Sequence, residues 1–174
     1  AINHDHHQAI ACYDLVLKDS PQDIATLVNK CASLIDLGDY VNAQQILATL
    51  IEIDPSIPQA WMNKGILFKK QGLYQEAITA YDEVLKLNKN FHEAWFNKAL
   101  SLSLLKRYEE ALAHYDRALQ LKPDYTEAWF NRGVSYGELK RYEEALTDYD
   151  HALQLKPDYA EAWHNKGVNC GELK

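Results

Sequence analysis

Glycine and proline are scarce in this chain, seven and five among 174 residues, too few for a fold built on many tight β-turns. Only three cysteines occur, Cys12, Cys31 and Cys170. They have no metal-ligand spacing and leave one unpaired in any disulfide scheme, so reduced thiols in a cytoplasmic setting are expected. No apolar run approaches the length of a membrane span, and nothing resembles a secretion signal. Positive charge is the minority: 18 Lys and Arg against 25 Asp and Glu leave a net charge of −7. That balance argues against a nucleic acid or an anionic bilayer as the main partner. No Ser-His-Asp order, phosphate loop, metal frame or catalytic carboxylate pair stands out, so neither an enzyme nor a cofactor is expected. His4, His6 and His7 crowd the N-terminus without a carboxylate or thiol frame, and an exposed helix start accounts for them.

What the chain does have is a period. Trp61, Trp95, Trp129 and Trp163 follow one another at 34 residues, each opening a similar block. A period of this length marks an architecture in which every unit buries its apolar face against its neighbours. Within a block, Trp61, Gly65 and Phe68 share one helical face, and Ala77, Tyr81, Val84 and Leu85 share another. Short breaks (Gly38-Asp39, Gly72-Leu73, Lys106-Arg107, Lys140-Arg141) separate the two stretches, and Pro55, Pro123 and Pro157 close the second. The class is therefore all-α, built of antiparallel helix pairs. Full units span residues 24–57, 58–91, 92–125 and 126–159. Residues 1–23 match only a second helix, through Ala9, Tyr13 and Pro21, and residues 160–174 only a first helix. With no initiator Met, a single repeat segment of a longer protein is expected. Residues 107–125 and 141–159 agree at sixteen of nineteen positions, the mark of an internal duplication. Small residues (Gly65, Ala99, Gly133, Gly167, Ala77, Ala111, Ala145) allow close helix approach, and the Trp and Tyr columns are expected to fill the remaining space. A buried Trp replaced by Ala would cost about 3–5 kcal/mol.

The run Trp129, Gly133, Tyr136, Ala145, Tyr149 and Pro157 resembles the tetratricopeptide repeat, and the other units depart from it modestly. That resemblance implies an α-solenoid wound as a right-handed superhelix, with first helices lining a concave groove that binds peptides. Two residues after each Trp position stands an asparagine: Asn29, Asn63, Asn97, Asn131 and Asn165. By family geometry these face the groove, in an arrangement similar to the asparagine ladder of the tetratricopeptide region of O-GlcNAc transferase. A carboxamide donates and accepts, so each can pair with a peptide backbone; alternatively each fixes repeat packing.

The same face carries Met62, Phe96, Phe130 and His164, expected either as shallow apolar pockets for ligand side chains or as partly buried between units, and Glu93, Glu127 and Glu161, which make the C-terminal half acidic. Glu138 and Glu172 add to that acidity, whereas Lys69 and Lys70 make the second unit basic. A ligand of basic character is expected at the acidic half. The family's clamp for chaperone tails needs Lys where this chain has Glu93, Glu127 and Glu161, which would repel a carboxylate. Family members usually carry Leu after the asparagine, but here Lys30, Lys64, Lys98, Arg132 and Lys166 stand there. Asp14, Asp82, Asp116 and Asp150 lie sixteen residues before four of them; Lys64 has Ala48 instead. A structural ion-pair column is expected. The functional expectation is an interaction scaffold for a protein or peptide. Its alternatives are the non-catalytic arm of a larger enzyme or regulatory protein, and a module that self-associates end to end.

Overall fold

The computed structural model describes residues 2–173, and the side chains of residues 5–173. It is all-α, ten helices among the described residues, forming antiparallel pairs in the manner of an α-solenoid. They divide into two compact bodies, residues 1–89 and 90–174. The N-terminal body holds α1 (Ile2–Asp19), α2 (Ile24–Leu37), α3 (Tyr40–Ile53), α4 (Pro58–Lys70) and α5 (Tyr74–Leu87). In it α2 pairs with α3 and α4 with α5, while α1 packs on α2 as a second helix would. The C-terminal body holds α6 (His92–Leu104), α7 (Tyr108–Leu121), α8 (Thr126–Glu138), α9 (Tyr142–Leu155) and α10 (Ala160–Glu172), with α6 paired to α7, α8 to α9, and α10 on α9.

The helix ends follow from local chemistry. Asp23 caps α2 by accepting from the Thr26 N–H at 2.8 Å, and Pro58 opens α4, where its missing N–H costs nothing. Every turn inside a pair closes with the same two crossed backbone bonds, as in Gly38 N–H to the Ile35 carbonyl and Asp39 N–H to the Leu34 carbonyl. The residue between them sits at positive φ: Gly38 at 82° and Gly72 at 78°, but Lys106 at 60° and Lys140 at 59°. Those two lysines hold a backbone conformation natural to glycine, at about 1–2 kcal/mol each.

Alanines and tyrosines run through the core, joined in the N-terminal body by a cluster of Cys31, Leu34, Ile35, Leu47 and Leu67. Ala43, Ala77, Ala111 and Ala145 have no exposed surface, nor do Ala60, Ala94, Ala128 and Ala162. Tyr81, Tyr115 and Tyr149 are the largest fully buried side chains. They lie against the small residues of the paired helix, so closely that a methyl added at Gly133 would stand 2.8 Å from the Tyr149 ring.

The tryptophans correct the sequence expectation. Trp61, Trp95 and Trp129 are half-buried, and Trp163 is 54% exposed. An indole is too large and too polar at one edge to vanish into the helix contact. Its N–H instead reaches the turn before its own helix: Trp61 donates to the Pro55 carbonyl and Trp129 to that of Pro123 at 2.8 Å, and Trp163 to that of Pro157 at 3.0 Å. The Trp column latches repeat junctions, while the Tyr column is the core. Leu27, the one departure in the Trp column, is instead buried among Leu50, Ile57 and Ala60.

Candidate functional site

The five asparagines fall into different environments. Asn29 is exposed on α2 and Asn165 half-buried on α10. Asn63 is buried on α4, and its amide donates to the Val28 carbonyl of α2 at 3.1 Å. It also meets the thiol of Cys31, which burial pushes up to about 12. Asn63 therefore ties one first helix to the next. Asn97, buried, and Asn131, half-buried, turn their amides back along their own helices, to the Glu93 carbonyl at 2.8 Å and the Glu127 carbonyl at 2.7 Å. A carboxamide has two N–H and two lone pairs, so the bond that Asn131 makes leaves it capacity for a ligand.

The apolar and acidic candidates do converge, around two tyrosines that the sequence pattern does not single out. In the C-terminal body Phe96 packs on Tyr125 with ring centroids 4.7 Å apart, and Phe130 on Tyr159 at 4.8 Å. Burial raises the Tyr125 phenol above its ordinary range, and the charges of Glu127 and Glu93 raise it further. Tyr159 is raised in the same order, by burial, then by Glu161 and Glu127. Each tyrosine thus lies in the field of two acids from successive first helices. Glu127 and Glu161 are exposed, and Glu93 lies 3.1 Å from His92 Nδ1. Lys122 and Lys156 each sit 5.0 Å from the centroid of the neighbouring tyrosine ring, showing that these rings accept a cation. The available signal is the repeated Lys-Pro-Asp-Tyr run, whose final Tyr reads in sequence as part of the turn.

Met62 and Phe96 are buried and Phe130 half-buried, so of the three only Phe130 offers appreciable side-chain surface. His164 is exposed. A cleft of about 400 Å³ opens between α8 and α10, lined by Val134, Gly137, Asn165 and Val168 with Glu138 and Glu172. A larger opening, about 560 Å³, lies elsewhere, between α1, α2 and α3, beside Ile10, Asp14, Lys30 and Asn42. In the N-terminal body Lys70 is bound to Asp36 at 3.0 Å, which offsets part of the positive charge of the second repeat.

The expected ion-pair column is present: Lys30 meets Asp14, Arg132 meets Asp116 and Lys166 meets Asp150, each at 2.5 Å. Arg132 has a second partner that the spacing does not announce. Its Nε and Nη2 both donate to the carboxylate of Asp148 at 2.7 Å. The guanidinium also stacks over Trp129 at 4.7 Å. Asp148 is one of the three positions at which the duplicated helices differ, His114 being its counterpart.

Among the described residues no group of three or more His, Cys, Asp or Glu could hold a metal ion, and no helix is long and apolar enough to cross a membrane. The side chain of His4 lies outside the described residues.

Paired helices at a 34-residue period, with small residues against buried tyrosines and polar first-helix faces, define a helical-repeat scaffold. Two descriptions of the tetratricopeptide repeat match the chain, one over residues 33–90 and 65–126, the other over residues 126–159. The chain belongs to the tetratricopeptide repeat (TPR) family. A thermophilic TPR protein of Thermus thermophilus has a similar structure, with a TM-score of 0.78 at 20% identity over 95% of this chain and 90% of that one. MamA of Desulfovibrio magneticus RS-1 gives 0.77 at 24% identity over 84% of each. The first TPR of Spaghetti (RPAP3), solved bound to an HSP90 peptide, gives 0.66 at 29% identity over 67% of this chain and 92% of that one. Protein NPGR1 of Arabidopsis thaliana is 30% identical over 84 residues, 47% of this chain but only 12% of that relative's length.

Proposed function

We propose that this chain is a protein–protein interaction scaffold that holds a peptide segment or partner subunit along its first helices, with a preference for a basic segment in the C-terminal body. The observation that carries this reading is the pair of aromatic contacts Phe96–Tyr125 and Phe130–Tyr159, each in the field of acids from successive first helices. Carboxylates beside aromatic faces suit a lysine or arginine side chain, which finds an ion pair and a ring together. The peptide bound by the RPAP3 repeat supports the general mode. That peptide's acidic character does not carry over, because the acids here would repel a second carboxylate. Asn29 and Asn63 in the N-terminal body, and Asn97, Asn131 and Asn165 in the C-terminal one, are the proposed backbone-reading residues, with Asn131 and Asn165 the more available in the C-terminal body.

An array of lysine-rich and neutral peptides tests this reading with wild type, Glu127→Gln/Glu161→Gln and Asn131→Ala/Asn165→Ala. The acid variant should weaken lysine-rich peptides about ten-fold and leave neutral ones alone. The asparagine variant should weaken both by about thirty-fold, at roughly 1 kcal/mol per lost bond. Variants that stay helical yet capture the same peptides as wild type would refute the proposal.

A reducing, cytoplasmic setting is part of the same proposal, supported by the three unpaired cysteines. So is a place for the chain as the non-catalytic arm of a larger protein. Self-association is a second reading, favoured by the exposed Trp163, Val168 and Leu173 at α10. Light scattering over a dilution series should show mass rising with concentration, and a monomer throughout would remove it.

A further inference from the structure

The chain contains its own picture of how the cation after each asparagine is satisfied. Arg132 is held from both sides by carboxylates, Asp116 on α7 and Asp148 on α9, each sixteen residues away along the chain. Lys64 occupies the same place two repeats earlier. Its counterpart positions are Ala48 on α3 and Ala80 on α5. The aromatic setting is unchanged: Lys64 lies 4.8 Å from the Trp61 ring and 5.9 Å from Phe68, against 4.7 Å and 5.8 Å for Arg132 over Trp129 and Tyr136. What differs is the acid. Among the described residues, no carboxylate lies within ion-pair distance of Lys64.

Space stands where each carboxylate would be. A pocket of about 190 Å³ opens at Ala48, bounded by Lys64, Gln44, Leu47, Ile51 and Phe68. A second of about 210 Å³ opens at Ala80, bounded by Lys64, Trp61, Thr79 and Glu76. Glu76 puts negative charge beside the second, whereas the first has no carboxylate in its lining. There Gln44 adds an amide donor, and Leu47, Ile51 and Phe68 supply apolar walls.

We infer that the pocket at Ala48 is a docking site for an acidic side chain of a partner polypeptide, an Asp or Glu beside an apolar residue. The incoming carboxylate would take the position that Asp116 holds beside Arg132. Two rings already fix the ammonium, so little side-chain freedom is lost when the pair forms. The half-buried setting of Lys64 strengthens the pairing over that of a fully solvated lysine. This site lies between α3 and α4, apart from the asparagine face, and does not depend on the groove reading.

The test is a ¹H–¹⁵N NMR titration of the whole chain with two blocked tripeptides, acetyl-Leu-Asp-Leu-amide and its Asn counterpart. Saturable shifts centred on Lys64, Ala48 and the Trp61 indole are expected with the Asp peptide, and at least about ten-fold weaker ones with the Asn peptide. Ala48→Asp supplies the missing carboxylate internally and should weaken the Asp peptide by about ten-fold or more. Ala48→Asn, which fills similar space without charge, should lose less. Equal binding of both peptides, shifts centred on other lysines, or an Ala48→Asp variant that binds as tightly as wild type would each overturn the assignment.

Discussion

Replacing Arg132 with methionine is expected to destabilise the protein by about 3–5 kcal/mol, because it strands the Asp148 carboxylate in the interior. The side chain of Asp148 is only 3% exposed, and both its oxygens accept from the guanidinium. Burial already raises this carboxyl above the ordinary aspartate range, and Arg132 works against that rise. Without the guanidinium the folded-state pKa climbs further above the unfolded value of about 3.9. A group whose folded-state pKa is raised favours folding only while it is protonated. The deficit of the variant relative to wild type should therefore be small below about pH 4 and widen as pH rises through the folded-state value. Urea denaturation of both proteins at about pH 4 and pH 7 measures this widening. The double variant Arg132→Met/Asp148→Ala, with the alanine that Lys64 has at Ala80, should recover most of the loss. A deficit equal at both pH values, or a double variant no better than the single one, would show that Arg132 does not serve to neutralise Asp148.

Tyr115→Ala is expected to cost about 3–5 kcal/mol, and Trp129→Ala less, about 1–3 kcal/mol. Tyr115 has no exposed surface, and its ring fills a layer bounded by alanines. Its removal leaves a void that rigid helices cannot close. Trp129 is half in solvent; its loss gives up one hydrogen bond to the Pro123 carbonyl and its stacking with Arg132 and His151. Guanidinium unfolding of the two variants side by side decides the order. Should Trp129→Ala prove the more damaging, the buried layer would have to be assigned to the indoles after all.

Much of the candidate site is legible without coordinates, and what is not legible has a common cause. The Asp–Lys column can be read because its partners stand sixteen residues apart, within reach of one helix-turn-helix connection. Asp148 is visible as a difference between duplicated helices, but nothing in the spacing says that Arg132 faces α9 as well as α7. The acidic residues show in sequence as a row at the repeat period. Their focus at Tyr125 and Tyr159 does not, because those tyrosines follow the closing prolines and look like turn residues. For Asn63, sequence leaves two uses open, peptide contact or packing. The bond to the Val28 carbonyl shows that packing already claims it.

The sequence by itself determined the period, the helix pairs, the turns that part them and the face each helix turns inward. These depend on local spacing and on backbone preferences that act within a few residues. Only the tertiary structure decided depth and partner. Periodicity says which side of a helix is inward but not how far a side chain sinks, so it could not rank Tyr115 above Trp129. Nor could it say whether a carboxamide or a guanidinium meets a carbonyl, a carboxylate or an opening. Those outcomes turn on distances of about 3 Å, which are set by how whole helices pack and not by the order of residues along any one of them.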